Sequence, residues 1–316
     1  MRIQTTCEER SLAGRLARRR SVEQHFAEIG HTFRHGLVGR KIENFLIRPL
    51  LKGGLRLAGL YKRGTENAIS PVIRRVSLEF PALPPAFDGF QILQISDLHI
   101  DGTDGLAEAL VPLLSDLRPD LCVLTGDYRY EDRGSCEAVY PLMRSIVSSI
   151  SATHGIFGIL GNHDSAEIAF ELEETGVRML INESAEITRG ADSIWLVGVD
   201  DPFDYQCDDL DGALRNVPPQ ALKILLAHAP ELYNEAAESG VDLYLCGHTH
   251  AGQIRLPLIG SLRHNAMCPK ALSYGAWTYK QMQGYTTSGA GCALVPVRFN
   301  CPPEVVMIEL RAKAPY

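Results

Sequence analysis

The sequence predicts an α/β fold, on two observations. Short apolar runs with strand character alternate along most of the chain with segments of helical spacing, the pattern of sheets covered by helices. Five of those runs end in Asp, Asn or His, and open α/β sheets gather their sites just past the carboxyl ends of strands.

Taken in order, residues 1–35 are Arg-rich and mostly polar without a clear period, which predicts partial disorder or a loose helix. Residues 37–60 mix Leu, Ile, Val and Phe with spaced basic residues. Arg48, Lys52 and Arg56 recur every four residues and so share one helical face, with Leu46, Leu50, Leu57 and Leu60 largely on others. Pro49 and Gly53-Gly54 are expected to break any long helix here. A basic amphipathic segment of this kind can lie on an anionic membrane surface, or pack against the body or a second copy.

From about residue 71 the texture changes. Residues 72–80 read as a strand and 81–89 as a loop. The strand at 90–95 delivers Asp97 and His99; 106–117 has helical spacing, broken at Pro112. The strand at 121–125 delivers Asp127, 139–150 is helical, and the strand at 155–160 delivers Asn162, His163 and Asp164. A helix at 166–175 should stop at Gly176. Three further apolar strands lie at 194–199, 222–227 and 243–246, the last two running into His228 and His248. The C-terminal stretch carries Tyr274, Trp277, Tyr279, Tyr285 and Phe299 and ends in a strand at 304–310. The expected division is a basic N-terminal arm, 1–70, and one body domain, 71–316.

Composition supports that division. Hydrophobic residues at 45% are enough for a sizeable core. The net charge of −7 conceals an asymmetry: residues 1–63 hold 14 basic and 5 acidic residues, the remainder 17 and 33. An acidic body without a basic run argues against nucleic acid as a partner. None of the eight cysteines forms a C-x-x-C pair, and Cys122 and Cys246 lie in apolar runs, so free thiols in a reducing compartment are expected. Arg18-Arg19-Arg20-Ser21 is followed by Val22-Glu23-Gln24-His25 where a secretory signal would need an apolar stretch. No run is long enough to span a bilayer. The expected location is cytoplasmic, with peripheral contact to the inner membrane face through residues 37–60.

The strand-end residues form a donor set of three carboxylates, one carboxamide and five imidazoles: Asp97, Asp127, Asp164, Asn162, His99, His163, His228, His248 and His250. Mixed oxygen and nitrogen donors of this kind suit a pair of divalent cations. Gly126 allows close backbone approach at Asp127, which suits a central bridging carboxylate, and Gly247 lets a strand end in a tight loop. Singly, each residue has a plainer reading: His228 as a hydrogen-bonded surface residue, Asp127 as a turn aspartate. Jointly, five strand ends supplying donors in a chain with ten histidines are more than turn chemistry explains. His25, His31, His35, His154 and His264 lack that context and read as structural or surface residues.

The order D-x-H, G-D, G-N-H-D, H, G-H-x-H resembles the signature of the calcineurin-like metallophosphoesterases. The steps are 30 residues from Asp97 to Asp127, 35 on to Asn162, 66 to His228 and 20 to His248. Residues 247–253, with the late Gly289-Ala290-Gly291 and the Pro-Val-Arg-Phe at 296–299, are similar to a bacterial branch of phosphodiesterases and phosphohydrolases. The resemblance covers about residues 72–312. It implies a four-layer α/β/β/α sandwich of two mixed sheets with a dinuclear site at strand C-terminal ends. It assigns one ion to Asp97, His99, Asp127 and His250, and the other to Asp127, Asn162, His228 and His248, the metals being Mn, Fe or Zn. A bridging water, acidified by both ions, would attack phosphorus in line. His163 would act as general acid or stabilise the phosphoryl oxygens, with Asp164 orienting its imidazole.

The implied substrate is a small or lipid-linked phosphodiester. Phosphomonoesters, phosphoproteins among them, and UDP-diacylglucosamine are the alternatives; some members that cleave the latter carry Arg where His163 stands. A metal-binding scaffold without catalysis would lack a ligand or the acid, and this chain lacks neither. Residues 253–285 are expected to cap the pocket, with Trp277 and its neighbouring tyrosines packing a hairpin onto the sheet.

Overall fold

The computed structural model describes residues 11–30, 42–261 and 265–313. Successive side chains of a strand face opposite sides, and that rule generates the layers. In β2 (Phe90–Ile95), Phe90 and Ile92 enter one core while Leu93 and Ile95 enter another. In β3 (Leu121–Leu124), Leu121 and Val123 join the first core, Cys122 and Leu124 the second. Strands buried on both faces read as largely apolar runs, which is why these were visible in the sequence despite Gln91 and Gln94 in β2.

The first sheet places β1 (Val72–Phe80) at one edge, then β14 (Glu304–Ala312), β2, β3, β4 (Ile156–Gly158) and β5 (Val177–Met179). All its pairings are parallel except β14 with β2. The second sheet runs β12 (Gly275–Tyr279), β13 (Met282–Thr286), β9 (Leu243–Cys246), β8 (Lys223–Leu226), β7 (Asp192–Gly198) and β6 (Glu183–Arg189), with antiparallel pairs at its two edges. Ile224, Leu226, Leu243, Leu245, Ile194 and Leu196 face the first sheet and fill the core between the two. Helices Leu106–Ser115, Val139–Ser148 and Ala166–Glu174 cover the outer face of the first sheet. Leu210–Leu214 and Tyr233–Glu238 cover that of the second. The result is a four-layer α/β/β/α sandwich of two mixed sheets.

Several features depart from the sequence reading, the short strand β5 among them. The helix Leu106–Ser115 runs through Pro112. Pro112 is exposed, so the amide it lacks is lost on the solvent side, while Leu106, Leu110 and Leu114 keep the other face docked. The helix Arg48–Leu57 likewise passes through Gly53-Gly54, with Pro49 in its first turn, where a missing amide is harmless. Strand β6 went unseen because its polar alternation is that of a sheet edge.

The arm departs as well. Residues 17–29 form a regular helix, Ala17–Ile29, ended by Gly30 in the left-handed conformation. It lies on the body with Arg19 and Phe26 buried, and Leu12 and Leu16 just before it enter the helix-side core. Residues 37–41, Cys7, His31, His35 and His264 fall outside the described residues. Among the described residues no helix is long and apolar enough to cross a membrane.

Candidate metal centre

The carboxyl ends of β2, β3, β8 and β9, with the loop after β4, meet at one end of the two sheets. There the backbone is bent into an unusual state. Asp97, His99, Asp127, His248 and His250 all have positive φ, between 38° and 69°. Non-glycine residues adopt this region at a cost of about 1–3 kcal/mol each, and such strain concentrates at functional sites. Crowding sets the neighbouring glycines. A Cβ on Gly247 would lie 2.1 Å from Asp97 Oδ2, and one on Gly161 2.2 Å from Asp127 Oδ1. Gly289, from the late Gly-x-Gly, packs against Asp97 in the same way.

Two groups of donors converge: Asp97, His99 and His250 in one, Asp127, His228 and His248 in the other. Two of the imidazoles are oriented by a close bond on the far side. His99 Nδ1 lies 2.7 Å from the Arg129 carbonyl and His228 Nδ1 2.7 Å from that of Thr125, which turns both Nε2 atoms inward. His99 Nε2 then stands 3.2 Å from His250 Nε2, and His228 Nε2 stands 3.2 Å from Asp127 Oδ2 without a well-formed hydrogen bond. Asn162 Oδ1 faces His248 Nδ1 at 2.9 Å. Buried nitrogens and oxygens aimed at one another with too few protons between them fit cation ligation.

Protonation agrees with that fit at three of the four imidazoles. Burial holds His99 and His248 down to about 3, and pushes His250 well below the usual imidazole range, so all three are neutral donors. Burial raises the Asp97 carboxyl to about 6. Burial works against ionisation of Asp127 too, but the imidazoles of His228, His163 and His99 override it and hold the carboxyl well below the carboxylate range. His228 is raised to about 10, the attraction of Asp127 overcoming its burial.

His163 is half-buried at the edge of the centre, its ring 4.7 Å from that of His99. The Tyr130 carbonyl holds its Nδ1 at 2.6 Å. Asp164 therefore does not orient this imidazole, contrary to the role the resemblance implied. Its carboxylate instead accepts the amides of Asp127, Tyr128 and Gly161, each at 2.8 Å, and so ties the Asp127 turn to the Gly161–Asp164 loop. The three amides tie this carboxylate to the backbone, while the ring's Nδ1 is held by the Tyr130 carbonyl.

Sequence reasoning missed several supports. Arg298 is fully buried and donates to the carbonyls of Ser288, Gly289 and Gly291, shaping the loop against Asp97. Gln253 donates to the carbonyls of Ala293, Val295 and Val297. Asp201, at the end of β7, accepts the amides of Phe203, Asp204 and Tyr205, and Asp204 accepts from Asn162 Nδ2 at 3.1 Å. The strand-end rule could have flagged Asp200-Asp201; Arg298 and Gln253 lie in motifs that carry the resemblance, which gave those side chains no role, and nothing local could have flagged Arg19. Of the C-terminal aromatics, Trp277 is buried against Tyr244 and donates to Thr286, and Tyr279 packs on Tyr233, so both serve the outer layer of the second sheet. His25 is exposed and His154 packs on Phe90, both away from the centre. The seven described cysteines are buried and free.

The profile of the calcineurin-like phosphoesterases matches residues 90–252. The chain is 31% identical to phosphodiesterase YaeI of Escherichia coli, over 70% of this chain and 82% of that one. It is 29% identical to the uncharacterized metallophosphoesterase YkuE of Bacillus subtilis, over 73% and 82%. A transmembrane protein with a metallophosphoesterase domain from Danio rerio is 30% identical, over 78% of this chain and 59% of its own length. The profile spans half the chain and both donor groups fall inside it, so this chain belongs to the calcineurin-like phosphoesterase family.

Proposed function

We propose that this phosphoesterase is a dinuclear phosphodiesterase acting on a small or lipid-linked phosphoester. One observation carries the reading: Asp127 Oδ2 lies 3.5 Å from His99 Nε2 and 3.2 Å from His228 Nε2, within reach of imidazoles from both donor groups. A carboxylate so placed suits a bridge between two cations. Asp97, His99 and His250 would hold one, with Asn162, His228 and His248 on the other. When bound, a pair of Mn, Fe or Zn ions supplies Lewis acidity toward water and the phosphoryl oxygens. The protein's part is to keep three imidazoles neutral and to hold the donors rigid. His163, partly open to solvent and fixed through Nδ1, presents Nε2 to a leaving-group oxygen and can give it a proton. Asp164 acts beneath it by holding the loop.

Hydrolysis of bis-p-nitrophenyl phosphate and p-nitrophenyl phosphate, with and without Mn²⁺, tests the reading. Metal-dependent turnover favouring the diester, abolished in Asp127→Asn and reduced at least about 100-fold in His163→Ala, is expected. Preference for the monoester would favour the phosphomonoesterase instead. No turnover of either by metal-loaded protein would sink both.

The lipid-linked option draws support from the helix Arg48–Leu57 and the turn before it. Phe45, Leu50 and Leu57 are 77%, 70% and 92% exposed. The basic stripe turns inward: Arg48 pairs with Glu131 at 2.8 Å and lies over Tyr130, while Lys52 and Arg56 lie over Tyr61. An outward apolar face next to the loop of His163 suits peripheral contact with the cytoplasmic face of a membrane. Co-sedimentation with phosphatidylglycerol vesicles that is lost in Leu50→Glu/Leu57→Glu is the expected result. Equal sedimentation of wild type and variant would remove the membrane from the reading.

A further inference from the structure

The strongest unassigned feature is a fully buried arginine that reaches the metal centre from the N-terminal arm, outside the segment matched by the family profile. Arg19 projects from the helix Ala17–Ile29. Its Nη2 donates to the carbonyls of Gly161 at 2.6 Å and Asp164 at 2.7 Å, the two ends of the loop that carries Asn162 and His163. Its Nη1 pairs with Asp200 Oδ1. The guanidinium carbon lies over Tyr205, 3.8 Å from the ring centroid, and Phe26, two helical turns on, packs on the same ring. Glu23, one turn along, lies 3.6 Å from Arg19 Nε and accepts the amide of Ala166 at 2.7 Å. The arm thus holds the loop through both its carbonyls and the amide just past it.

The same contacts close a circuit through Asn162. Asp200 Oδ1 also accepts the amide of Asp201 at 2.7 Å; the Asp201 carboxylate holds the turn that presents Asp204, and Asp204 accepts from Asn162 Nδ2. A carboxylate on the amide nitrogen compels Asn162 to turn Oδ1 toward His248. Its backbone is held by Arg19 and its side chain by Asp204, and both supports meet at Asp200.

We propose that Arg19 is a positioning residue: the arm completes the subsite of Asn162, His228 and His248 by fixing the loop that carries Asn162 and His163. Arginine is required because one planar fork serves two carbonyls and a carboxylate while stacking on Tyr205; lysine offers a point charge on a flexible stem. The inference rests on the reading of Asn162 as a ligand of the second ion.

The test is calorimetric titration of Mn²⁺ into the full chain, metal-free at the start, for wild type, Arg19→Lys, Arg19→Gln and Arg20→Gln. Arg20 lies over Phe170 without touching the loop and controls for general weakening of the arm. Two Mn²⁺ sites in wild type, one of them weakened at least about tenfold in both Arg19 variants and neither in Arg20→Gln, is the expected result. Turnover of bis-p-nitrophenyl phosphate should fall in kcat with KM nearly unchanged. Wild-type affinity at both sites in folded Arg19→Lys, whatever its melting temperature, overturns the proposal. Should the Arg19 variants not fold, Glu23→Ala keeps Arg19 but removes the arm's hold on the Ala166 amide and must weaken the same site; unchanged binding there is equally fatal. Two Mn²⁺ bound by wild type without diester hydrolysis would defeat the phosphodiesterase reading alone, since the positioning claim is read in metal affinity.

Discussion

His228 carries the clearest proton linkage in the centre. Free of metal, its imidazolium is stabilised by Asp127 to about 10, against an ordinary value of 6.5. The folded state therefore binds this proton more tightly than the unfolded state. Its stabilisation is complete below about pH 6.5 and is lost as pH rises through about 10. Chelator-treated protein should accordingly unfold at lower urea near pH 9.5 than at pH 7. His228→Asn should flatten that slope; an unchanged slope in the variant would assign it elsewhere. Gly247 poses a steric question instead. A methyl group there meets both Asp97 Oδ2 and Ser96 Oγ, at 2.1 and 2.2 Å, so the strand end must move and take Asp97 and His248 with it. Gly247→Ala is expected to weaken Mn²⁺ binding at least tenfold and to cost about 1–3 kcal/mol of stability. Titration and urea unfolding together check this, and wild-type affinity would show that the loop can yield.

At the scale of elements, the two helices of the arm behave differently. Ala17–Ile29 is held by buried groups, whereas Arg48–Leu57 has no buried residue. Gly53 and Gly54 lie in that second helix, and a methyl group added at either would meet nothing within 4 Å, so alanine fits without a clash. Gly53→Ala/Gly54→Ala should stabilise the helix by roughly 1 kcal/mol per site through backbone entropy. Slower amide exchange across residues 50–57 would show it, and unchanged exchange would mean that the helix is held by something other than its own propensity. The strands were legible for a physical reason: β2, β3, β8 and β9 are buried on both faces and so are mostly apolar, with Gln91, Gln94 and Lys223 the exceptions. Edge strand β6 was not, because it lacks that burial, and the helix at Leu106–Ser115 was read but not its passage through Pro112, since its docked face holds it.

For the whole molecule, the core between the sheets is the common foundation of the centre. Ile224 and Leu243 lie there, on the strands that deliver His228 and His248. Ile224→Ala should lower stability by roughly 2–5 kcal/mol, as large-to-small changes in packed cores do. Urea unfolding measures that, and Mn²⁺ affinity in the folded variant should stay near wild type, because the backbone turn and its glycines lie beyond the cavity. A parallel loss of affinity would mean that strand position and donor geometry are not separable.

The residues that converge at this end of the sheets were readable from the chain: Asp97, His99, Asp127, Asn162, His228, His248 and His250 each follow an apolar strand, and a residue fixed at a strand end leaves a local mark. Tertiary structure alone decided what holds them. The partner of the His163 imidazole is a carbonyl 33 residues away, at Tyr130, and Arg19 meets its loop across 142 residues. Carbonyls are present at every residue, and a buried arginine looks like a surface one in sequence. Only folding selects which carbonyl faces the ring, and which guanidinium leaves water for the centre.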